Sequence, residues 1–472
     1  MTGTALFETR IMPPRRSWVL VGAGALCSSV AFMMVSRLPE TQLVLGLLPL
    51  QWVVIIGVAA GSIYLTLFQK ARQQEWVPSL VMIIAVGLVA RIILFSSEPL
   101  WEIDFYRYLW DGGVLANGLN PYEWSPASVM AGDASSAFGA LATQAPDIIN
   151  QINYPDLVTI YPPVTQVAFA IAHLIEPWDL NAWRGVLLIL DGFGLWAMVL
   201  VLRHLRYPLH WVAIYWWNPL IIQMMFNAAH MDVLLIPFLL VAVLFALRGA
   251  PLLSACVLGI SVGIKLWPVL LIIPLIQHAT SDWKVRVRAL AMFGLVSAVV
   301  LSPLIITGLG EHSGLIAYSK TWTRNGAAFW LIENLTETIL SVMGTYNLNA
   351  AILARATSVL VLILVLASVA RRGVQDPDRL CQALVLIITA LLILSPATYP
   401  WYFCWVAGLL VIAPSWPVAL WTATLPLYHL KFLPWFLENP WVFDSVVVWF
   451  EHGPVIGLLL MFGVMIRRDK LR

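Results

Sequence analysis

The stretch WEIDFYRYLWDGGVLANGLNPY, residues 101–122, sets acidic residues, one arginine and several aromatics directly after a long apolar run. Charge at a membrane boundary is costly unless it is solvated or paired, so chemistry is expected here. Asp104, Arg107, Tyr108 and Asp111 recur at i, i+3, i+4 and i+7, one face of a helix. Gly118 and Pro121 then stop that helix. Two readings fit the face. In one, a carboxylate stands in a positioning network. In the other, Arg107 simply pairs with both aspartates and holds the loop.

Outward from this stretch the chain reads as membrane helices. Of its 472 residues, 60% are hydrophobic and 11% charged, and the mean hydropathy is +0.84. A soluble domain does not have this composition. The net charge of +2 gives no case for nucleic acid. The 23 tryptophans suit a protein with many interfacial anchors. Cys27, Cys256, Cys381 and Cys404 all lie in apolar runs and read as packing, not disulfides or metal ligands. Arg10, Arg15 and Arg16 precede the apolar residues 18–34 with no small-residue cleavage site after them, which reads as a retained first helix.

Topology follows from Lys and Arg staying on the cytoplasmic side. Residues 17–36 run out, 43–68 return to Lys70 and Arg72, and 77–96 run out again. Residues 97–162 are then a first outer loop, with eight acidic residues against the single basic Arg107. Residues 164–175 are too few to span and are expected to form a juxtamembrane or re-entrant helix. Residues 185–202 lead in to Arg203 and Arg206, 211–226 out, and 233–247 back to Arg248. Residues 251–277 are expected to break into a hairpin with Lys265 at its outer turn, because both flanks are basic. Residues 289–307 lead to a second outer loop, 308–347, and 348–370 return to Arg371. Four further crossings end at Arg467, Arg468, Lys470 and Arg472. The expectation is an all-α polytopic bundle, a single membrane domain over 1–472, with about 14 spans and both termini cytoplasmic.

Asp104, Arg107, Tyr108, Trp110, Asp111, Gly112, Gly118, Asn120, Pro121 and Tyr122, followed by Tyr161-Pro162-Pro163, resemble the first outer loop of class C (GT-C) glycosyltransferases. The bacterial polyprenol-phosphate-mannose-dependent mannosyltransferases are the most similar in these motifs. Trp217-Asn218-Pro219, His230 with Asp232, Lys265 before Pro268, then Tyr318, Trp322 and Asn325, and finally Tyr399, Trp401 and Tyr402 follow in the order of that family. The resemblance implies a GT-C-like bundle in the bacterial cell (inner) membrane, with its active site outside. It implies transfer of a hexose, first of all mannose, from a polyprenyl-phosphate sugar to a glycan or lipid acceptor. The first loop has no DxD-type pair, which leaves a divalent metal open; no other cofactor is implied.

Within that mechanism, Asp104 is the expected base, lying closest to the helix end where the lipid head group would sit. Asp111 is the second candidate, its other role being the Arg107 partner. A leaving phosphate needs positive charge, for which Lys265, Arg107 and His230 are candidates. Arg107, Tyr108, Asn120, Tyr122, Tyr161, Gln166, His230, Asp232, Trp322, Asn325, Tyr399, Trp401 and Tyr402 complete the expected substrate surface. Each has a plainer role: His230 as a structural histidine, Asp232 as a helix cap, and Lys265 as a snorkelling residue. Tyr318, Trp322 and Asn325, at i, i+4 and i+7, suggest one sugar-facing stripe or an interfacial anchor. The competing function is a transporter or flippase of a lipid-linked sugar. Transporters show internal repeats and midplane charges, and neither stands out here.

Overall fold

The computed structural model describes residues 15–68, 77–345 and 348–470, with side chains as far as residue 462. Arg10, Lys70, Arg72, Asn347 and Arg472, and the side chains of Arg467, Arg468 and Lys470, lie outside the described residues. Among the described residues the chain is all-helical, with isolated β-bridges and no strand.

Seven helices are long and apolar enough to cross a membrane: Arg15–Ser36, Pro49–Phe68, Leu180–Leu205, Trp283–Thr307, Ala350–Arg372, Pro377–Leu394 and Pro440–Phe462. Pro219–Asn227 and Met231–Leu247 form an eighth if taken as one span, bent by 108°. Leu80–Ser96, Pro163–Ile175, Pro251–Val262 and Trp267–Ala279 are shorter apolar helices. The chain is an integral membrane protein. Where sequence suggested about 14 crossings, length and composition give seven or eight among the described residues. Prolines 400, 414, 417 and 426 break much of the difference into short helical pieces between Pro400 and Phe432.

The long helices begin where their sequences dictate. Asp179, Asp282, Asn349 and Asp376 each cap the helix that follows by accepting a backbone N–H, a bond worth about 1 kcal/mol. Trp283–Thr307 and Ala350–Arg372 are only 17% and 11% buried over their apolar windows. Their outward faces, with Leu295, Val299 and Leu364 exposed, are the surface a bilayer would cover. Cys381 and Cys404 pack in the core as expected, but Cys27 is exposed and Cys256 only half-buried, because their helices also show a face outward.

A buried ion pair crosslinks the bundle. Arg91 Nε donates to Asp191 Oδ2 at 2.7 Å with both side chains fully buried. Tyr215 donates its hydroxyl to Asp191 Oδ1 at 2.7 Å. The Arg91 guanidinium also donates to the Trp216 carbonyl and lies 3.7 Å over the Trp216 ring.

Candidate functional site

The first-loop helix runs Asp104–Ala116, with Gly118 in the left-handed region beyond it, as its spacing suggested. It lies against Pro163–Ile175, the short helix expected from residues 164–175. Gly112 allows that approach: a Cβ there would lie 2.4 Å from the Phe169 carbonyl oxygen. Pro163–Ile175 is fastened in turn to the hairpin turn near Lys265, through Val164 N–H to the Gly263 carbonyl and Thr165 Oγ1 to the Ile264 carbonyl. The hairpin is present: Gly249 and Ala279, at its two ends, face each other.

The segment leading into the loop helix is clasped by two residues that sequence reasoning did not single out. Asn227 Nδ2 donates to Ser97 Oγ and to the Glu98 carbonyl, and its Oδ1 accepts from Leu100 N–H. Arg184 Nη2 donates to the carbonyls of Ser97 and Asn227, both at 2.9 Å. Asn227 closes a π-helical turn, and Ala229 follows at φ +59°. Trp101, Tyr154 and Asn325 also hold positive φ beside site residues. Such positions cost about 1–3 kcal/mol each and persist where the surroundings enforce them.

At this break sits His230, fully buried and stacked on Trp401 at 3.8 Å, which is itself stacked on Tyr399 at 4.4 Å. Three groups from the loop converge on the imidazole. Its Nδ1 is 3.3 Å from the Tyr108 hydroxyl and 3.9 Å from Asp104 Oδ2, and its Nε2 is 3.6 Å from Glu102 Oε2. Asp104 is the first residue of its helix, where the dipole favours a carboxylate. Its Oδ1 accepts from Asn153 Nδ2 at 2.7 Å, and its side chain is 24% exposed. The Tyr161 hydroxyl reaches Tyr108 at 3.5 Å.

Asp232 and Lys265 form a second pair beside His230, Nζ to Oδ1 at 3.1 Å. Trp405 Nε1 donates to the same Asp232 oxygen at 2.6 Å. Asp232 is therefore no helix cap. The Lys265 ammonium lies 4.8 Å over Tyr402 and 5.4 Å over Trp405. Tyr402 shares a 2.9 Å hydroxyl contact with Tyr318.

Other expected residues stand apart from this centre. Asp111, almost fully buried, accepts from Gln166 Nε2 at 3.1 Å, and that amide also meets Thr159 and the Tyr161 carbonyl. Arg107 donates to the Tyr154 and Leu157 carbonyls rather than pairing with an aspartate. The pairing of Arg107 with both aspartates is thus replaced by a brace across the loop. Asn120 bonds to Thr307, and Tyr122 donates to the Tyr161 carbonyl; both serve the loop's own geometry.

The Tyr318–Trp322–Asn325 stripe does not form, because the helix ends at Thr321. Residues 324–326 leave it to pair with 395–398, through Arg324 N–H to Pro396 and Thr398 N–H to Arg324. Trp322 packs on Tyr154 at 4.5 Å. Asn325 Nδ2 donates to Glu451 Oε2 at 2.6 Å, deep beside His452. Among the described residues no group of three or more His, Cys, Asp or Glu side chains is arranged to hold a metal ion.

Burial pushes the Glu102 carboxyl up to about 8, with the Lys431 charge opposing. Burial also raises Asp104, reinforced by Glu102 and opposed by His230, Asn153 and Lys265. Glu102 is therefore neutral below about pH 8 and gains charge as pH rises through that value. A new negative charge here stands 3.6 Å from His230 and repels the Asp104 carboxylate. Activity should fall on the alkaline side near pH 8, and Glu102→Gln should remove that limb. A pH–rate profile with the same limb in the variant would exclude Glu102 as its source.

Residues 159–396, half of the chain, match the model of glycosyltransferase family 87. The chain belongs to glycosyltransferase family 87. No curated protein and no solved structure matches it. Family 87 is a GT-C-like group of membrane glycosyltransferases, so the chain is a membrane glycosyltransferase, and the transporter alternative is set aside. The matched segment contains His230, Asp232 and Lys265, while Asp104 and Glu102 precede it and Trp401 follows it. The fold thus brings residues from outside the family-87 match onto His230.

Proposed function

We propose that this glycosyltransferase moves a hexose, with mannose the first to test, from a polyprenyl-phosphate sugar to a glycan or lipid acceptor on the extracytoplasmic face. The observation that carries this reading is Asp104. It is the partly exposed carboxylate at the head of a helix, held by Asn153 and facing a buried imidazole stacked on Trp401.

Asp104 takes the proton of an acceptor hydroxyl as its oxygen bonds to the anomeric carbon. The bond from that carbon to the phosphate oxygen breaks, and its electron pair leaves with the polyprenyl phosphate. Positioned general-base help of this kind is worth roughly 10²–10⁴-fold. His230 stands between Asp104 and Glu102 and fixes the positions of both carboxyl groups. Tyr399 offers its outer ring face to the sugar, while Trp401, stacked between Tyr399 and His230, backs it. Lys265, with one N–H given to Asp232, meets the donor head group. Asp111 serves as a buried strut with Gln166, not as the base.

The test is transfer by the purified protein in detergent. Radiolabelled polyprenyl-phosphate mannose and polyprenyl-phosphate glucose are offered separately with an envelope lipid and glycan extract. Label should move from one of them into the acceptor fraction. Label remaining on both donors while a nucleotide sugar is consumed would overturn the donor class.

A further inference from the structure

Beside the aromatic wall lies a cavity of about 150 Å³, lined by Arg324, Lys431, Asp444 and the apolar Phe436, Leu437 and Phe443. Its charge is unbalanced. Lys265 already has Asp232 at 3.1 Å. The Arg324 guanidinium has only the Thr323 carbonyl, at 3.3 Å, and the Lys431 ammonium rests over the rings of Tyr428 and Phe432 at 5.3 and 5.5 Å. Neither makes an ion pair among the described residues. Two cations thus face one cavity with a single exposed carboxylate, Asp444, at its lining. Burial and the Arg324 charge hold Lys431 below its usual range, while Glu102 and Asp444 oppose.

The cavity adjoins the reaction centre. Tyr428 lines it and also packs edge-on against Tyr399 and Trp401, at 5.9 and 6.2 Å. The backbone that carries Arg324 is bonded to residues 396–398, immediately before Tyr399. On the other side the wall is apolar and continues to the exposed Trp435, Leu437 and Trp441, side chains suited to a membrane interface.

We infer that Arg324 and Lys431 form a lipid-phosphate subsite, which holds the phosphate of the polyprenyl donor with its first isoprene units along Phe436, Leu437 and Phe443. This rests on the donor class proposed above. The phosphate is a diester with one charge before transfer. It gains the electron pair of the broken bond and leaves as a monoester with greater negative charge. Lys265 with Asp232 is neutral overall and cannot match that gain, whereas the Arg324–Lys431 cavity retains unmatched positive charge.

The experiment is equilibrium binding of farnesyl phosphate to the purified protein in detergent, with farnesol, inorganic phosphate and phosphatidylglycerol as comparison probes. Farnesyl phosphate should bind more tightly than farnesol or inorganic phosphate. Arg324→Gln and Lys431→Gln should each weaken it roughly tenfold or more. Arg324→Lys and Lys431→Arg should restore most of it, and Lys265→Met should weaken it less than either Gln variant. Thermal melting of each variant guards against loss of fold; neither cation makes a bond on which the bundle depends.

Unchanged binding in both Gln variants overturns the inference. So does equal binding of inorganic phosphate, which would make it a free-phosphate site, or equal displacement by phosphatidylglycerol, which would make it a bulk-lipid site. A protein that binds farnesyl phosphate here but transfers no sugar from any polyprenyl donor keeps the subsite and refutes the proposed reaction. A protein that transfers sugar with both Gln variants at full donor affinity does the reverse.

Discussion

Asp104→Asn should lower sugar transfer by at least about 10²-fold while donor binding survives. The substitution keeps the size of the side chain and can keep the contact with Asn153. It removes the charge that accepts the acceptor's proton. The readout is single-turnover transfer alongside binding of the donor. Asp111→Asn is the comparison. Because Asp111 is buried against Gln166, its variant should lose thermal stability more than turnover. An active Asp104 variant beside a dead, well-folded Asp111 variant would reverse the assignment. Full activity in both would remove the first loop from the chemistry.

The largest effect on stability is expected from Arg91→Met. It leaves the Asp191 carboxylate fully buried with only the Tyr215 hydroxyl for a partner. Breaking a buried pair from one side costs about 3–5 kcal/mol, because an unmatched charge remains. Replacing both partners removes the charge problem, so Arg91→Met with Asp191→Leu should recover much of the loss. Thermal melting in one detergent checks both. A single variant within about 1 kcal/mol of the native protein would mean that water or a rearranged partner reaches Asp191.

The sequence spacing made the loop helix legible, and with it Asp104 and Tyr108, because helical periodicity is a local property. The break at Lys265 was legible from charge on both of its flanks. The partners were not. Tyr108 meets His230 across 122 positions, and Arg91 meets Asp191 across 100. Nothing in a single apolar run says which distant charge completes a pair. Glu102 lay within the decisive stretch but two positions off the Asp104 face, so helical reasoning passed it over; it approaches His230 from the turn before the helix. Asn325 was misplaced for the opposite reason. Periodicity extended a helix that pairing with residues 395–398 ends. Arg324 and Lys431 carried no motif and come together only through the fold.

The clasp of Arg184 and Asn227 ties the approach to Glu102 and the turn at Ala229 into one frame. In the reaction proposed above, the groups that handle the proton would thus be positioned before any substrate arrives, by contacts that do not involve the sugar. The ring face offered to the sugar in that reaction comes from another part of the chain, at Tyr399. On that reading, the proton-handling groups and the sugar-facing ring are held by different parts of the fold. A change in the aromatic wall at Tyr399 would then leave the Arg184–Asn227 frame in place.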